Sequence, residues 1–386
     1  MTDSIVERYV RLGLRLDRRV EGTVDSYAGP PELAAEVAAG DLPGARALVD
    51  EAEALLTELP DSWLRDQVAG LRTCAGMLAG ESRSYADEVH GYYGVRPSWT
   101  DESVFTEAHE RLDALLPGTG PLAERLEEWR RSMLVPADRV ESTVATVIAE
   151  ARRWTGQLIE LPPGEGVDLE FVREVPWNGY NTYLGDLRGR VEINVDRPMT
   201  GYQLLHLVLH ETYPGHQAER AAKENLLVRG QGRLEETIVL APTPQSLIAE
   251  GIGEIAPEQL LRGEAGAALA GIVRDSGVDL DLAHSLTLDE AVESCRWASV
   301  NAALMLHEHE AGAAEVSAYL QRWEMLNPED AGRVIRFVTD PTSRTYSFNY
   351  PAGRRLCRAY AKAVPDGFRR LLTEQVRVGD LLRATV

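Results

Sequence analysis

Apolar residues recur at helical spacing along most of this chain. Ile5, Tyr9, Leu12 and Leu16 fall on one stripe, three or four residues apart. Ala34, Val37 and Ala38 continue the pattern behind Pro30-Pro31-Glu32, where proline suits the first turn of a helix. The same periodicity, rich in Ala, Leu, Glu and Arg, predicts helices over 45–59, 62–78, 104–115, 121–132 and 137–161. The texture changes at Leu161-Pro162-Pro163-Gly164-Glu165-Gly166, a cluster of helix breakers. Asn181-Thr182-Tyr183-Leu184 and Arg190-Val191-Glu192-Ile193-Asn194-Val195 then have strand character, and Gly185-Asp186-Leu187-Arg188-Gly189 is a reasonable hairpin connection. After Pro198 the pattern returns to helix. The expectation is a mainly α protein with one small sheet. A helical segment over 1–160 and a second over 161–386 would form one continuous globular unit.

Composition bounds what such a molecule does. Its 386 residues suffice for a large core, and 44% hydrophobic with 26% charged residues describes a folded chain. The formal charge of -21 disfavours nucleic acid and anionic membrane as partners. The opening residues, MTDSIVERYVRLGLRLDRRV, alternate charged and apolar positions and lack a signal-peptide core; no stretch elsewhere is apolar enough to span a bilayer. Cys74, Cys295 and Cys357 are odd in number and far apart, so they read as reduced core residues. A cytoplasmic location is expected. No heptad or apolar seam indicates an oligomeric state.

The candidate chemistry sits at His210-Glu211, at the end of the apolar run Gln203-Leu204-Leu205-His206-Leu207-Val208-Leu209. A histidine followed by glutamate on a buried helix pairs a metal ligand with a general base. The familiar zinc helix places its second histidine four residues on, but here that position is Pro214, which should kink or end the helix. Gly215 frees the backbone to turn, so that His216 swings back toward the metal. His206, one turn before His210, is an alternative partner for it. A lone His-Glu pair also arises by chance, and a buried histidine is usually only hydrogen-bonded.

Several ordered motifs carry a resemblance. Asn181-Thr182-Tyr183-Leu184-Gly185, Val191-Glu192-Ile193-Asn194-Val195, the segment from His210 to His216, Glu250-Gly251 and Tyr346-Ser347-Phe348-Asn349-Tyr350-Pro351-Ala352-Gly353-Arg354 come in that order, followed by Phe368-Arg369-Arg370-Leu371-Leu372 through Gly379. Together they resemble the domain of unknown function 885 family, a branch similar to the gluzincin peptidases, with an HE-x-x-P-G-H-H signature. The likeness covers about residues 170 to 386. It implies a large two-lobed helical metallopeptidase-like fold, with a small hairpin or sheet beside the active-site helix and a cleft between the lobes. Where the family has a second histidine after the glycine, this chain has Gln217.

The resemblance implies that His210, His216 and Glu250 bind one zinc ion, though manganese or iron also suits two histidines and a carboxylate. Glu211 would act as general base and Tyr350 as hydrogen-bond donor to the oxyanion. Glu254, one turn beyond Glu250, is an alternative ligand or a partner that orients a histidine. Arg354 or Arg355 would bind a substrate carboxylate, and Asn194 with its strand would pair with an extended substrate. Each has a plainer reading: a solvated acid, a packed tyrosine, a surface arginine, a structural hairpin. His307-Glu308-His309-Glu310 reads as a solvated face, since its histidines point to different sides. The expected activity is zinc-dependent hydrolysis of small peptides or amides, peptidase or carboxypeptidase in kind. A metal enzyme tailoring a small metabolite and a non-catalytic binding protein are the alternatives.

Overall fold

The computed structural model describes residues 4–175 and 177–385 and is mainly helical, with five strands in two small sheets. The expected helices form where the periodicity places them, and Tyr85–Tyr93 adds one that it did not single out. Ser4 opens Ile5–Asp17 with a reciprocal cap to Glu7, and the helix buries Tyr9, Leu12 and Leu16. Ala45–Glu58, Trp63–Leu78, Glu102–Leu115, Leu122–Ser132 and Val140–Leu158 follow, with ends shifted by a few residues at most. Ser62 caps the second of these by accepting from the Arg65 N–H.

The sheets depart from the expectation. Strands β1 (Val24–Tyr27), β2 (Gly166–Val172), β3 (Gly179–Gly185), β4 (Arg188–Asn194) and β5 (Ile238–Leu240) are arranged as β1-β5 and β2-β4-β3. The expected hairpin is β3–β4, turning at Asp186 and Leu187 with φ of 51° and 64°. Two consecutive left-handed residues match the twist of a two-residue hairpin. β2 adds a parallel strand on the other side, so β4 lies in the middle. The second sheet joins β1 to β5 across more than two hundred residues, which no local pattern foretells.

One hydrophobic cluster runs from Tyr9 to Leu381, so residues on both sides of position 160 share a core. The three cysteines are free and buried in it or in the smaller clusters. The helices Pro244–Leu260 and Asn349–Ala363 press together there. A Cβ on Gly251 would stand 2.5 Å from the Gly353 carbonyl oxygen, and a Cβ on Gly353 as close to that of Leu247. This approach sets the tyrosines of 346–350 beside Glu250. Among the described residues, no helix is long and apolar enough to cross a membrane.

His307 and Glu308 correct one expectation. His307 stacks on Tyr85 and its Nε2 lies 2.7 Å from the Val338 carbonyl, while Glu308 accepts from the Ala86 N–H. These side chains fasten two parts of the fold and do not simply face solvent.

Candidate metal centre

The helix Gly201–Glu211 carries the first residues of the site. Thr200 and Gln203 cap its start reciprocally, and its apolar face, Leu204, Leu205, Val208 and Leu209, is buried. It stops one residue before Thr212, whose hydroxyl returns to the Val208 carbonyl. The chain then passes through Tyr213 and Pro214 and begins a new helix at His216 (His216–Lys223). Gly215 makes the tight reversal possible. A Cβ there would lie 1.9 Å from the His210 carbonyl oxygen and 2.5 Å from that of Leu209. The interruption folds His216 back, so that its ring meets His210 edge-on, with centroids 4.6 Å apart.

Glu250 arrives from the helix Pro244–Leu260. Ligand atoms of His210, His216 and Glu250 all lie within 4.8 Å of one another. That is wider than the ~3.4 Å edge of a tetrahedral zinc set with bonds near 2.0–2.2 Å, so a modest closure would complete it. Tyr346 donates to Glu250 Oε1 at 2.7 Å and fixes the carboxylate. Glu250 Oε2 stands 3.4 Å from His210 Nε2, long for a hydrogen bond, and is buried without a hydrogen-bond partner. A buried, ionised and unsatisfied oxygen facing two imidazoles is what a bound cation would satisfy. The residues present therefore fit zinc.

The electrostatics agree with that fit. Burial opposes charge on His210, but Glu250, Glu211 and Glu254 outweigh it and raise its pKa to about 9. Burial and the neighbouring His210 hold His216 neutral, with a pKa lowered to about 4. The proton on His210 thus occupies the place a cation would take, and the two compete. Glu254 lies on the other side of the His210 ring, 3.8 Å from Nδ1. It is ion-paired to Arg296 at 3.0 Å and to Arg354 at 3.5 Å. Glu250 faces the two histidines, whereas Glu254 joins a neutralised network. Gly253 leaves room for the ring, since a Cβ there would come within 2.6 Å of His210 Cε1. His206 does not join the triad; its ring lies 6.3 Å from that of His210 and 3.9 Å from Glu254 through Nε2.

Glu211 is buried beside the triad, with no hydrogen bond to its carboxylate among the described residues. Burial pushes its pKa up to about 7, with Glu250 and Asp25 adding to the shift and His210 opposing it. Tyr350 lies near the same carboxylates, and burial with the charges of Glu250 and Glu211 keeps its phenol firmly protonated. Tyr346 and Tyr350 meet edge-on, 6.0 Å between centroids.

Other expected residues are placed differently. Arg354 is 3% exposed and meets Asp289 at 2.9 Å, with Glu254, Glu293 and Glu258 within 3.7 Å. Four carboxylates surround this buried guanidinium, so in place of the expected substrate contact it sits in a charge hub inside the fold. Arg355 lies over the Trp297 ring. Asn194 is also buried. Its amide donates to the Val175 and Trp177 carbonyls and its oxygen accepts from the Asp196 N–H. Because β4 is hydrogen-bonded on both sides, a substrate strand cannot add to it. Gln217 donates to the Leu187 carbonyl at the hairpin turn, away from the triad.

Asp25, Tyr180 and the role of Tyr346 were not foreseen. Asp25, on β1, accepts a 2.6 Å hydrogen bond from Tyr180 on β3 and feels Glu250 and Arg220. Solvent reaches Asp25, yet the surrounding protein raises its pKa. Its signal was absent from the sequence, because a four-residue strand brings it in from the far N-terminal side.

No protein-family model matches the sequence, and no curated protein matches it. Two solved structures are similar in fold. The putative lipoprotein from Colwellia psychrerythraea aligns with a TM-score of 0.55 and 16% identity over 88% of this chain. A putative lipoprotein of unknown function from Shewanella oneidensis aligns with a TM-score of 0.52 and 13% identity over 92%. This chain spans 62% of the first protein's length and 70% of the second's. At these identities the likeness is one of fold.

Proposed function

We propose that this protein is a zinc-dependent hydrolase of small peptides or amides, centred on His210, His216 and Glu250. The observation that carries the reading is the buried Glu250 oxygen, ionised and unpartnered, converging with two imidazoles. Zinc held there would supply a water of near-neutral pKa and a polarised carbonyl. Glu211 stands next to the triad with its carboxylate unengaged, so it takes the proton of the attacking water and hands it to the leaving amine. A pKa near neutrality suits both halves of that transfer. Tyr350 keeps its proton and donates a hydrogen bond to the carbonyl oxygen as negative charge builds on it. Tyr346 holds Glu250 in place, and the charge of Glu254 acts on His210 from behind.

The motifs that resemble the domain of unknown function 885 family imply the same roles for His210, Glu211, His216 and Glu250, though no family model matches the chain. Metal analysis of the purified protein, followed by a chelator-sensitive assay on a mixed peptide library, tests the reading. One zinc per chain with chelator-sensitive cleavage is expected. Zinc without cleavage would turn the reading toward a small-metabolite enzyme, and absence of any metal toward a binding protein.

A further inference from the structure

A cavity of about 260 Å³ opens on the same helix as the metal centre, one turn before it. His206 and Leu207 form its wall on this helix, Trp129 and Arg130 face them from Leu122–Ser132, and Leu288 and Asp289 close it from Leu282–Cys295. Four residues of helix separate His206 from His210, so the cavity wall begins about 6 Å from the candidate zinc ligand. At Asn178 the cavity meets the start of β3, whose Gly179 packs between Leu207 and Glu211.

Its charge reverses that of the molecule. In a chain of net charge -21, Arg130, Arg197 and Arg296 line one small cavity against the single carboxylate of Asp289. Arg296 is already matched by Glu254 and Asp289. Arg197 donates to the Asn178 side chain. Arg130 is different. Among the described residues its side chain makes no ion pair or hydrogen bond, and Glu127 and Glu324 act on it only through space. Burial disfavours its charge and lowers its pKa from the ordinary arginine value. His206 adds a buried Nε2 with no hydrogen-bond partner. Trp129, Leu288 and Val292 make an apolar part of the lining, beside the polar Thr200, Gln203 and Ser285.

We propose that this cavity receives a carboxylate-bearing, otherwise apolar residue of the substrate, with Arg130 as its anchor. The inference rests on the hydrolase reading for its place in a reaction, but not for the binding itself. A guanidinium presents a planar fork that matches a carboxylate with two parallel hydrogen bonds. A cavity of this size holds about one amino-acid residue, below the ~300–1,000 Å³ of drug-sized pockets. The carboxylate has two possible sources: the C-terminus of a peptide, or an Asp or Glu side chain. The first makes the enzyme a carboxypeptidase, the second an acid-selective peptidase.

The test is equilibrium binding to the full-length protein, which needs no turnover. The probes are N-acetyl-Ala-Phe, its C-terminal amide, and N-acetyl-Ala-Glu-amide, titrated calorimetrically at low salt. Binding of at least one acid about 10-fold or more tighter than the amide is expected, as a charge-assisted pair requires. The preference should vanish in Arg130→Met and return in part in Arg130→Lys, with melting curves confirming that each variant is folded. Preference for N-acetyl-Ala-Phe assigns the terminal carboxylate, and preference for N-acetyl-Ala-Glu-amide the side chain. Equal binding of all three by the wild type, or an acid preference unchanged in Arg130→Met, overturns the proposal. Peptide cleavage indifferent to Arg130 would remove the pocket and leave the hydrolase; acid-selective binding without cleavage would do the reverse.

Discussion

Glu250 and Glu254 sit one turn apart on the same helix, both buried, and both beside His210. Their surroundings are opposite. Glu254 belongs to a cluster in which the protein provides the cations: Arg296 and Arg354 reach it directly, and Asp289 shares both. Glu250 has a tyrosine, two histidines and an oxygen with nothing bonded to it. The protein's own arginines complete one cluster, and the other is deficient, balanced only by a proton on His210 that a cation can displace. Buried carboxylates alone therefore do not mark a metal site; the deficit does.

If Glu211 serves the deficient cluster as a base, its loss separates chemistry from binding. Glu211→Gln is expected to lower turnover by about 10²–10⁴-fold while zinc content stays at the wild-type level. Kinetics and metal analysis on the same preparation check this, and loss of zinc in that variant would place Glu211 among the ligands.

The complete cluster should fail by unfolding. Arg354→Leu leaves several acids buried without their cation, and the expected cost is about 3–5 kcal/mol of stability. Denaturant titration measures it; a change under about 1 kcal/mol would mean the acids find other partners. Between the two clusters lies Gly253. Gly253→Ala pushes a methyl group into the His210 ring, and about 1–3 kcal/mol of destabilisation together with weaker zinc binding is expected. Unchanged zinc affinity would show that the ring has room to move.

A smaller effect lies at the edge of the arginine-rich cluster. Burial raises the pKa of Glu324 to about 7, against the pull of Ser299, Arg296 and Arg130. The folded state thus holds this proton more tightly than the unfolded chain does. Its favourable contribution is full below pH about 4.5 and is lost as pH rises through about 7. Glu324→Gln should be more stable than wild type by about 1–2 kcal/mol at pH 8, with the gap closing below pH 5. Melting curves at the two pH values decide it; a gap constant with pH would remove titration as the cause.

The helices were legible because their apolar stripes are local and dense, as in Ile5–Asp17. The hairpin was legible from its alternation and its turn residues. β2 was not legible although Val167, Leu169 and Phe171 alternate, because helix and strand breakers directly precede it and its apolar positions are only half-buried. β1 and β5 are four and three residues long and pair only with each other, so Asp25 could not be placed at the site. At the metal centre, the break at Pro214 and the return of His216 follow from the known limits of proline and glycine. The role of Arg354 did not. Its signal lay in spacing: Glu254 and Glu258, Asp289 and Glu293, and Arg354 and Arg358 are each four apart on largely apolar helices. Two like-charged pairs of acid and one of base stack into a ladder once the helices meet. Such repeats point to buried charge as readily as to a solvated face.

The contrast between the two glutamates is tested most directly by zinc binding to wild type, Glu250→Gln and Glu254→Gln. Equilibrium dialysis at pH 7.5 gives stoichiometry and affinity for all three. The account predicts one zinc per wild-type chain, loss of that zinc in Glu250→Gln, and retention with about 10–100-fold weaker affinity in Glu254→Gln. Wild-type protein that binds no zinc, or Glu250→Gln protein that binds it as tightly as wild type, would contradict it.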